Sequence, residues 1–487
     1  MSTEADKRTP DSDAVRGVLG RGSLYSVATI VQLGAGLVTI PVLTRLLDPD
    51  EYGILTAALV SQAVLTNLAA FGIPPAISRA FFLDSGPRGA RSLIGATAIA
   101  AVVVGLLALA TGALWSQAFS EVPYGPELKL AAVSAIASAI LLAAQAALQA
   151  EERVREYMIG AVIATAGAQV LGVAAALAFG GGSAYLAGFT VGLYIAVAYS
   201  WRKAGLELGP LRNRAEASPL LRTAFRVGLP TIPNGLALYL LAAGDRIVVE
   251  RIEGLAAGGT YYIAYAVGSL GIFLSAALNG AWAPSLYGSD EDVRWSFFAD
   301  SAVAIARVVA LVSAAFGLAA PIALEVLAPS DYDLSGLGEV SALVAASAIP
   351  YLWYLTGLNV VIWQGRSGIL AIATPVAVTF NLVLCAILIP PMGLVGAALA
   401  TLAAYLLLGA MTWVRARSMA EVPWDAKALA LAAAPAAAGL AVALALPEDG
   451  LWLIVRGALA AGFALAALKA LNLRRGQPGE ADFTGSA

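Results

Sequence analysis

The feature that most constrains this chain is a series of long stretches without a single Asp, Glu, Lys or Arg. Residues 22–44, 52–78, 92–120 and 130–150 open the series. A helix needs about 20 residues to cross the hydrocarbon core of a bilayer, so each stretch can cross once. Residues 157–201 run to about twice that length, with Gly180-Gly181-Gly182 at the middle. Three glycines break a helix, so this region reads as a tight hairpin of two spans. Residues 227–244 begin the seventh span, 254–289 and 340–365 supply the eighth and tenth, and 302–327, with Arg307 and Glu325 inside, supply the ninth. Residues 367–414 are again double, split by Pro390-Pro391-Met392-Gly393; 428–447 follow, and 451–471, with Arg456 and Lys469 inside, complete the count. The pattern predicts an all-α polytopic membrane protein with 14 transmembrane helices. A soluble core does not supply so many uncharged runs, and only 13% of residues are charged against about 25% in soluble domains.

Orientation follows from lysine and arginine, which concentrate on the cytoplasmic side. With the N-terminus inside, nearly every basic loop residue falls on the inner face, and only Arg45, Lys129 and Arg251 fall outside. One missed or invented span would invert every later loop, so this bias also supports the count. The expected location is the inner (plasma) membrane, multi-pass, with both termini cytoplasmic.

The chain divides into a tail (1–21), a six-helix lobe (22–201), a basic linker (202–226), a second six-helix lobe (227–416), a C-terminal helix pair (417–471) and a tail (472–487). The two lobes carry related landmarks. Arg45 ends the first span, Glu51-Tyr52-Gly53 opens the second, and Gly72-Ile-Pro74-Pro75 closes it. In the second lobe Asp245-Arg246, Gly259-Thr-Tyr261-Tyr262 and Pro284 take the corresponding places. Six helices per lobe is an even number. The pseudo-two-fold axis is therefore expected along the membrane normal, as in two-lobed transporters. The linker carries six basic residues, which suit an anionic lipid surface.

Enzyme chemistry has little to work with. The chain has no histidine and one cysteine, and its net charge is -3. That removes the commonest general base and metal ligand and leaves no basic field for nucleic acid. No phosphate-cradling loop, zinc spacing or nucleophile elbow is present, and no cofactor is expected.

The charges within or beside the spans are more informative. Such residues are costly in a membrane and usually face a cavity or a partner. Arg45 and Arg79 bracket spans one and two, Asp245 and Arg246 lie in span seven, and Arg307 and Glu325 lie in span nine. Arg456 lies in the extra pair and reads as structural. Arg45 and Arg79 could equally snorkel to headgroups. Arginine in excess of acid suits an anionic cargo, and its planar fork suits phosphate. We take Arg45, Arg79, Arg246 and Arg307 as candidates for a cationic cavity, and Asp245 and Glu325 as coupling or ion-pair candidates. Pro230, Pro233 and Asn234 open span seven. The prolines remove backbone hydrogen bonds there, which marks a bend and a candidate hinge.

At these positions the sequence resembles the polysaccharide flippase (Wzx-type) family of the multidrug/oligosaccharidyl-lipid/polysaccharide exporter superfamily. The resemblance rests on Thr44-Arg45-Leu-Leu-Asp48-Pro-Asp-Glu51-Tyr52-Gly53. It rests also on Gly228-Leu-Pro230 through Asp245-Arg246, and on Asn381 through Thr401. It implies two lobes around a central cationic cavity that work by alternating access. The cargo it implies is a polyprenyl-diphosphate-linked oligosaccharide, flipped from the cytoplasmic to the outer leaflet, and polysaccharide polymerase or assembly proteins are the implied partners. Lipid II flippases share the fourteen-span plan and remain a competing reading. A polytopic glycosyltransferase or polymerase would need catalytic groups on a sizeable outer loop, and none is apparent.

Overall fold

A computed structural model describes residue 36 and residues 38–475, except 85, 120–121, 206–213, 230, 288–290, 330 and 365. Most of the expected first span, the 1–21 tail and residues 476–487 therefore lie outside the described residues. Among those described, regular structure is entirely helical.

The helical segment 38–46 leads to α1 (Pro49–Ala69). Asp48 caps α1 by accepting from the Glu51 N–H at 2.8 Å, and Pro49 takes the first helical position, where its missing N–H costs nothing. After a break at Phe71 and Gly72 the chain continues as α2 (Ile73–Arg79). Then come α3 (Gly86–Ala110), α4 (Pro126–Ala150), α5 (Val154–Phe179) and α6 (Gly181–Ala204). The last two turn at Gly180, within the expected triple-glycine hairpin. They are followed by α7 (Arg214–Gly228), α8 (Thr231–Glu253), α9 (Leu255–Gly268) and α10 (Leu270–Tyr287). The remaining helices are α11 (Glu291–Leu327), α12 (Leu337–Trp363), α13 (Leu370–Arg417), α14 (Ala426–Ala445) and α15 (Leu451–Arg475).

Ten helices among the described residues are long and apolar enough to cross a bilayer, or eleven when the bent pair α9–α10 counts as one span. The 48-residue α13 is two arms joined at Gly393, whose φ of 56° and ψ of -142° are cheap only for glycine. The turn thus falls at the end of the Pro390-Pro391-Met392-Gly393 run, and both prolines remain in the first arm. Helix α8 carries Asp245, Arg246, Glu250, Arg251 and Glu253 in its second half.

Packing divides the chain into two compact units. The first comprises 1–259, 279–284 and 374–382, and the second comprises the remainder. Helix α8, expected to open the second lobe, makes its contacts within the first unit, against α1. In that unit α4 is the centre, with α1, α3 and α6 against it. Its face is largely alanine, which lets helices approach closely where lipid removes the usual hydrophobic drive. Hydroxyl and amide pairs bridge the helices, as in Ser134–Thr190 at 2.6 Å and Gln62–Ser138 at 3.1 Å. Each such bond is worth about 0.6 kcal/mol in a membrane. In the second unit the 37-residue α11 is the centre, and α12, α14 and α15 pack on it. The C-terminal pair is therefore part of that unit's core.

Candidate functional site

The first unit holds three of the four candidate arginines. Arg45 is exposed, and its Nη1 donates to Pro41 O of its own helix at 2.7 Å. Arg79 is exposed in the last turn of α2. The 21-residue α1 separates these two; at 1.5 Å per residue that is roughly 30 Å. They sit at opposite ends of one span and cannot hold one headgroup together. Arg246 is half-buried in the second half of α8. The neighbouring Asp245 is fully buried and accepts from the Arg246 backbone N–H at 2.9 Å.

Arg307 belongs to the second unit, on α11. It is exposed and has no hydrogen bond or ion pair among the described residues. Asp300, seven residues earlier and so on the same helix face, is also exposed. Leu311 and Ala314, further along that face, are buried. The face carries two exposed charges, Asp300 and Arg307, and becomes buried and apolar beyond them. An exposed arginine inside a spanning helix calls for a wet cavity, because a charge facing lipid costs about 2.5–3.5 kcal/mol even on lenient scales.

Glu325 is exposed near the end of α11 and lines a cavity of about 610 Å3 together with Glu339 and Glu448. Beneath it Arg456 is fully buried and donates to the carbonyls of Ala443, Leu446 and Pro447. Those carbonyls end α14, so Arg456 acts as a helix cap.

Of the hinge residues, Pro230 lies outside the described residues, as does the side chain of Asn234. Pro233 is exposed in the first turn of α8, where a proline forfeits no intrahelical hydrogen bond. The break therefore separates α7 from α8 rather than bending α8 from within.

Sequence reasoning missed what lies beside this break. The Gly72 and Gly228 backbones touch, and a Cβ on either would overlap the other's carbonyl oxygen. Gly72 has φ +66°, and Phe71 before it is, among the described residues, one of two non-glycine residues with positive φ. The Phe71 and Phe225 rings meet edge to face at 5.6 Å. Gly72 and Gly228 lie far apart in the chain, and a single sequence does not pair them. Thr374 and Asn381 were also missed. Both are fully buried on one face of α13 and lack hydrogen-bond partners among the described residues. Leu382, beside Asn381, approaches Gly244, beside Asp245.

A family model described as polysaccharide biosynthesis protein matches residues 19–287, more than half of the chain. The chain belongs to this family. No curated protein matches it. Among solved structures, this polysaccharide biosynthesis protein is similar to the lipid II flippase MurJ in an inward closed conformation. The TM-score is 0.65 at 13% identity, covering 93% of this chain and 100% of that one. It is also similar to an inward-facing multidrug resistance MATE family transporter of the MOP superfamily, with TM-score 0.60, 14% identity, and 80% and 97% coverage. A third is a MOP superfamily transporter from Pyrococcus furiosus described as having a binding pocket of reverse polarity. There the TM-score is 0.59 at 15% identity, with 82% and 95% coverage. At these identities the likeness is one of fold. The family member is a polytopic helical membrane protein with the architecture of these transporters.

Proposed function

We propose that the protein is a flippase that moves a polyprenyl-diphosphate-linked oligosaccharide from the cytoplasmic to the outer leaflet by alternating access. The observation that carries this reading is Arg307, an exposed arginine on a spanning helix with no partner among the described residues. It supplies a free cation inside the membrane, and a guanidinium matches a diphosphate in shape and charge. Arg246 offers a second cation on α8, while Arg79 serves entry at the cytoplasmic face and Arg45 exit at the outer face. Asp245 and Glu325 are the coupling or ion-pair groups. We further propose fourteen spans in two six-helix lobes plus a C-terminal pair, with both termini cytoplasmic in the inner membrane. The MurJ likeness, which covers 93% of the chain against 80% for the MATE transporter, supports a plan longer than twelve spans. It also keeps lipid II flipping as the second reading.

The test is export complementation at matched membrane level. Arg307→Ala and Arg307→Glu are expected to leave lipid-linked oligosaccharide in the inner leaflet, and Arg307→Lys to restore part of the export. Wild-type export by Arg307→Glu would sink the reading. Reporters fused after Gly181 and Asp331 test the topology, and both should read as external. A cytoplasmic signal from either would refute the fourteen-span plan.

A further inference from the structure

A groove of about 400 Å3 runs between α1 and α3 in the first unit, within the range of about 300–1,000 Å3 usual for small-molecule pockets. Val64 and Leu68 form one wall, Val104 and Leu107 the other, and Ile247 of α8 borders it. Three of its lining residues carry polar side-chain atoms, and all of these turn back into the backbone. Ser61 Oγ donates to Ala57 O at 2.9 Å, Thr111 Oγ1 to Leu107 O at 2.7 Å, and Trp115 Nε1 to Ala108 O at 2.8 Å. The groove therefore offers hydrocarbon and no free donor, which excludes a sugar and suits an alkyl or isoprenoid chain.

Toward the end of α3 the groove is lined by Trp115, Ala118 and Phe119, and Arg251 Nη1 donates to Gln117 O at 3.2 Å and Ala118 O at 3.3 Å. Arg251 and Ile247 are four residues apart and so share a face of α8. The half-buried Arg246 directly precedes Ile247 in α8. A cation is thus the chain neighbour of a residue that lines a slot offering only hydrocarbon. The complementary ligand is an amphiphile with an anionic head and a long apolar tail.

We propose that this groove holds the first isoprene units of the lipid-linked cargo while Arg246 engages its phosphate. The inference rests on the flippase reading and adds to it a tail site on the first unit. The tail stays in a hydrocarbon surround while the head occupies water, so the head can cross without dragging the tail through a polar cavity.

The test is equilibrium binding to the purified full-length protein in nanodiscs. The probes are a long-chain polyprenyl phosphate, inorganic pyrophosphate and dioleoyl phosphatidylglycerol. Val64→Trp and Leu107→Trp fill the groove, and Leu177→Trp, on exposed α5 surface away from it, controls for bulk. The groove variants are expected to weaken polyprenyl phosphate binding by about tenfold, equivalent to losing roughly two buried methylene groups. Pyrophosphate binding and the Leu177→Trp control should be unchanged. Unaltered polyprenyl phosphate binding by both groove variants would overturn the tail site. Equal competition by phosphatidylglycerol would overturn it too, by marking a slot for ordinary membrane lipid. If the wild-type protein binds pyrophosphate but gains nothing from the polyprenyl chain, the flippase reading itself falls, and the groove assignment with it.

Discussion

The span formed by α1 and α2 crosses a neighbour at each of its ends, and the two crossings are built differently. Near its start, Gly53 lies in regular helix against the backbone of Leu255, where a Cβ would overlap the carbonyl. Gly259 completes that contact, its Cβ position lying 3.1 Å from Pro49 O. At the far end Gly72 meets Gly228, but here the span is broken, Gly72 has φ +66° and Phe71 has φ 51°. The first crossing demands only space. The second demands space and also holds a strained backbone, which costs about 1–3 kcal/mol at a non-glycine residue. The proposed alternating access assigns the moving role to this strained joint between two helices. In the proposed orientation that end is cytoplasmic, where a flippase admits its cargo.

The largest effect should come from locking the strained crossing. In a Cys385→Ser background, Phe71→Cys with Phe225→Cys, joined by oxidation or a short bis-maleimide, should stop export completely. Reduction of the disulfide should restore it. Export that continues through the cross-link would show this crossing to be as static as the other.

Next in size is the glycine pair. Gly72→Ala meets both the Gly228 carbonyl and an unfavourable φ, whereas Gly53→Ala meets only the Leu255 carbonyl. The left-handed backbone adds about 1–2 kcal/mol for an L side chain. Thermal unfolding in detergent should therefore show Gly72→Ala as the less stable variant by about that margin. Equal losses would remove the distinction between the two ends.

A smaller effect is expected from the prolines beside the strained crossing. The double variant Pro230→Ala/Pro233→Ala lets α7 and α8 run toward one continuous helix. Membrane insertion should be kept and export cut strongly. Full export at normal membrane level would mean that the joint owes nothing to these prolines.

The smallest effect lies at a third glycine, where a carboxylate rather than a backbone makes the close approach. Glu448, in the turn between α14 and α15, lies against Gly338 at the start of α12. Burial pushes its carboxyl above the ordinary value of 4.5, against the Arg456 charge and the Gly338 and Glu339 N–H groups, which pull it down. A raised carboxyl contributes stability below its ordinary value and loses it as pH climbs through the raised one. Glu448→Gln should therefore match the wild type in acid and exceed it at neutral pH, by no more than about 2 °C in Tm. A wild type more stable than the variant at neutral pH would reverse the assignment.

Much of the architecture was legible in the sequence because the bilayer imposes it locally. A helix that crosses lipid must be largely apolar, so uncharged runs marked α1, α3 and α4 directly, and glycines marked the turns at Gly180 and Gly393. Helix α8 was marked by its uncharged first part, but its packing against α1 in the first unit has no sequence signal. The candidate site was half legible. Arg307 and Arg246 could be named, since a charge in an apolar run is visible in one dimension. Their exposure and partners could not.

Residue type and order alone determined that this chain is a helical membrane protein with buried cations, because those properties depend on neighbours within one turn or one span. Only the tertiary structure decided that Arg456 caps α14 while Arg307 stands exposed, that Thr374 and Asn381 are buried without hydrogen-bond partners among the described residues, and that Gly72 meets Gly228. Each of those facts is a contact, or the lack of one, between residues distant in the chain. Such pairings follow from how helices dock, and helix docking in lipid is set by shape and small residues rather than by any periodic pattern.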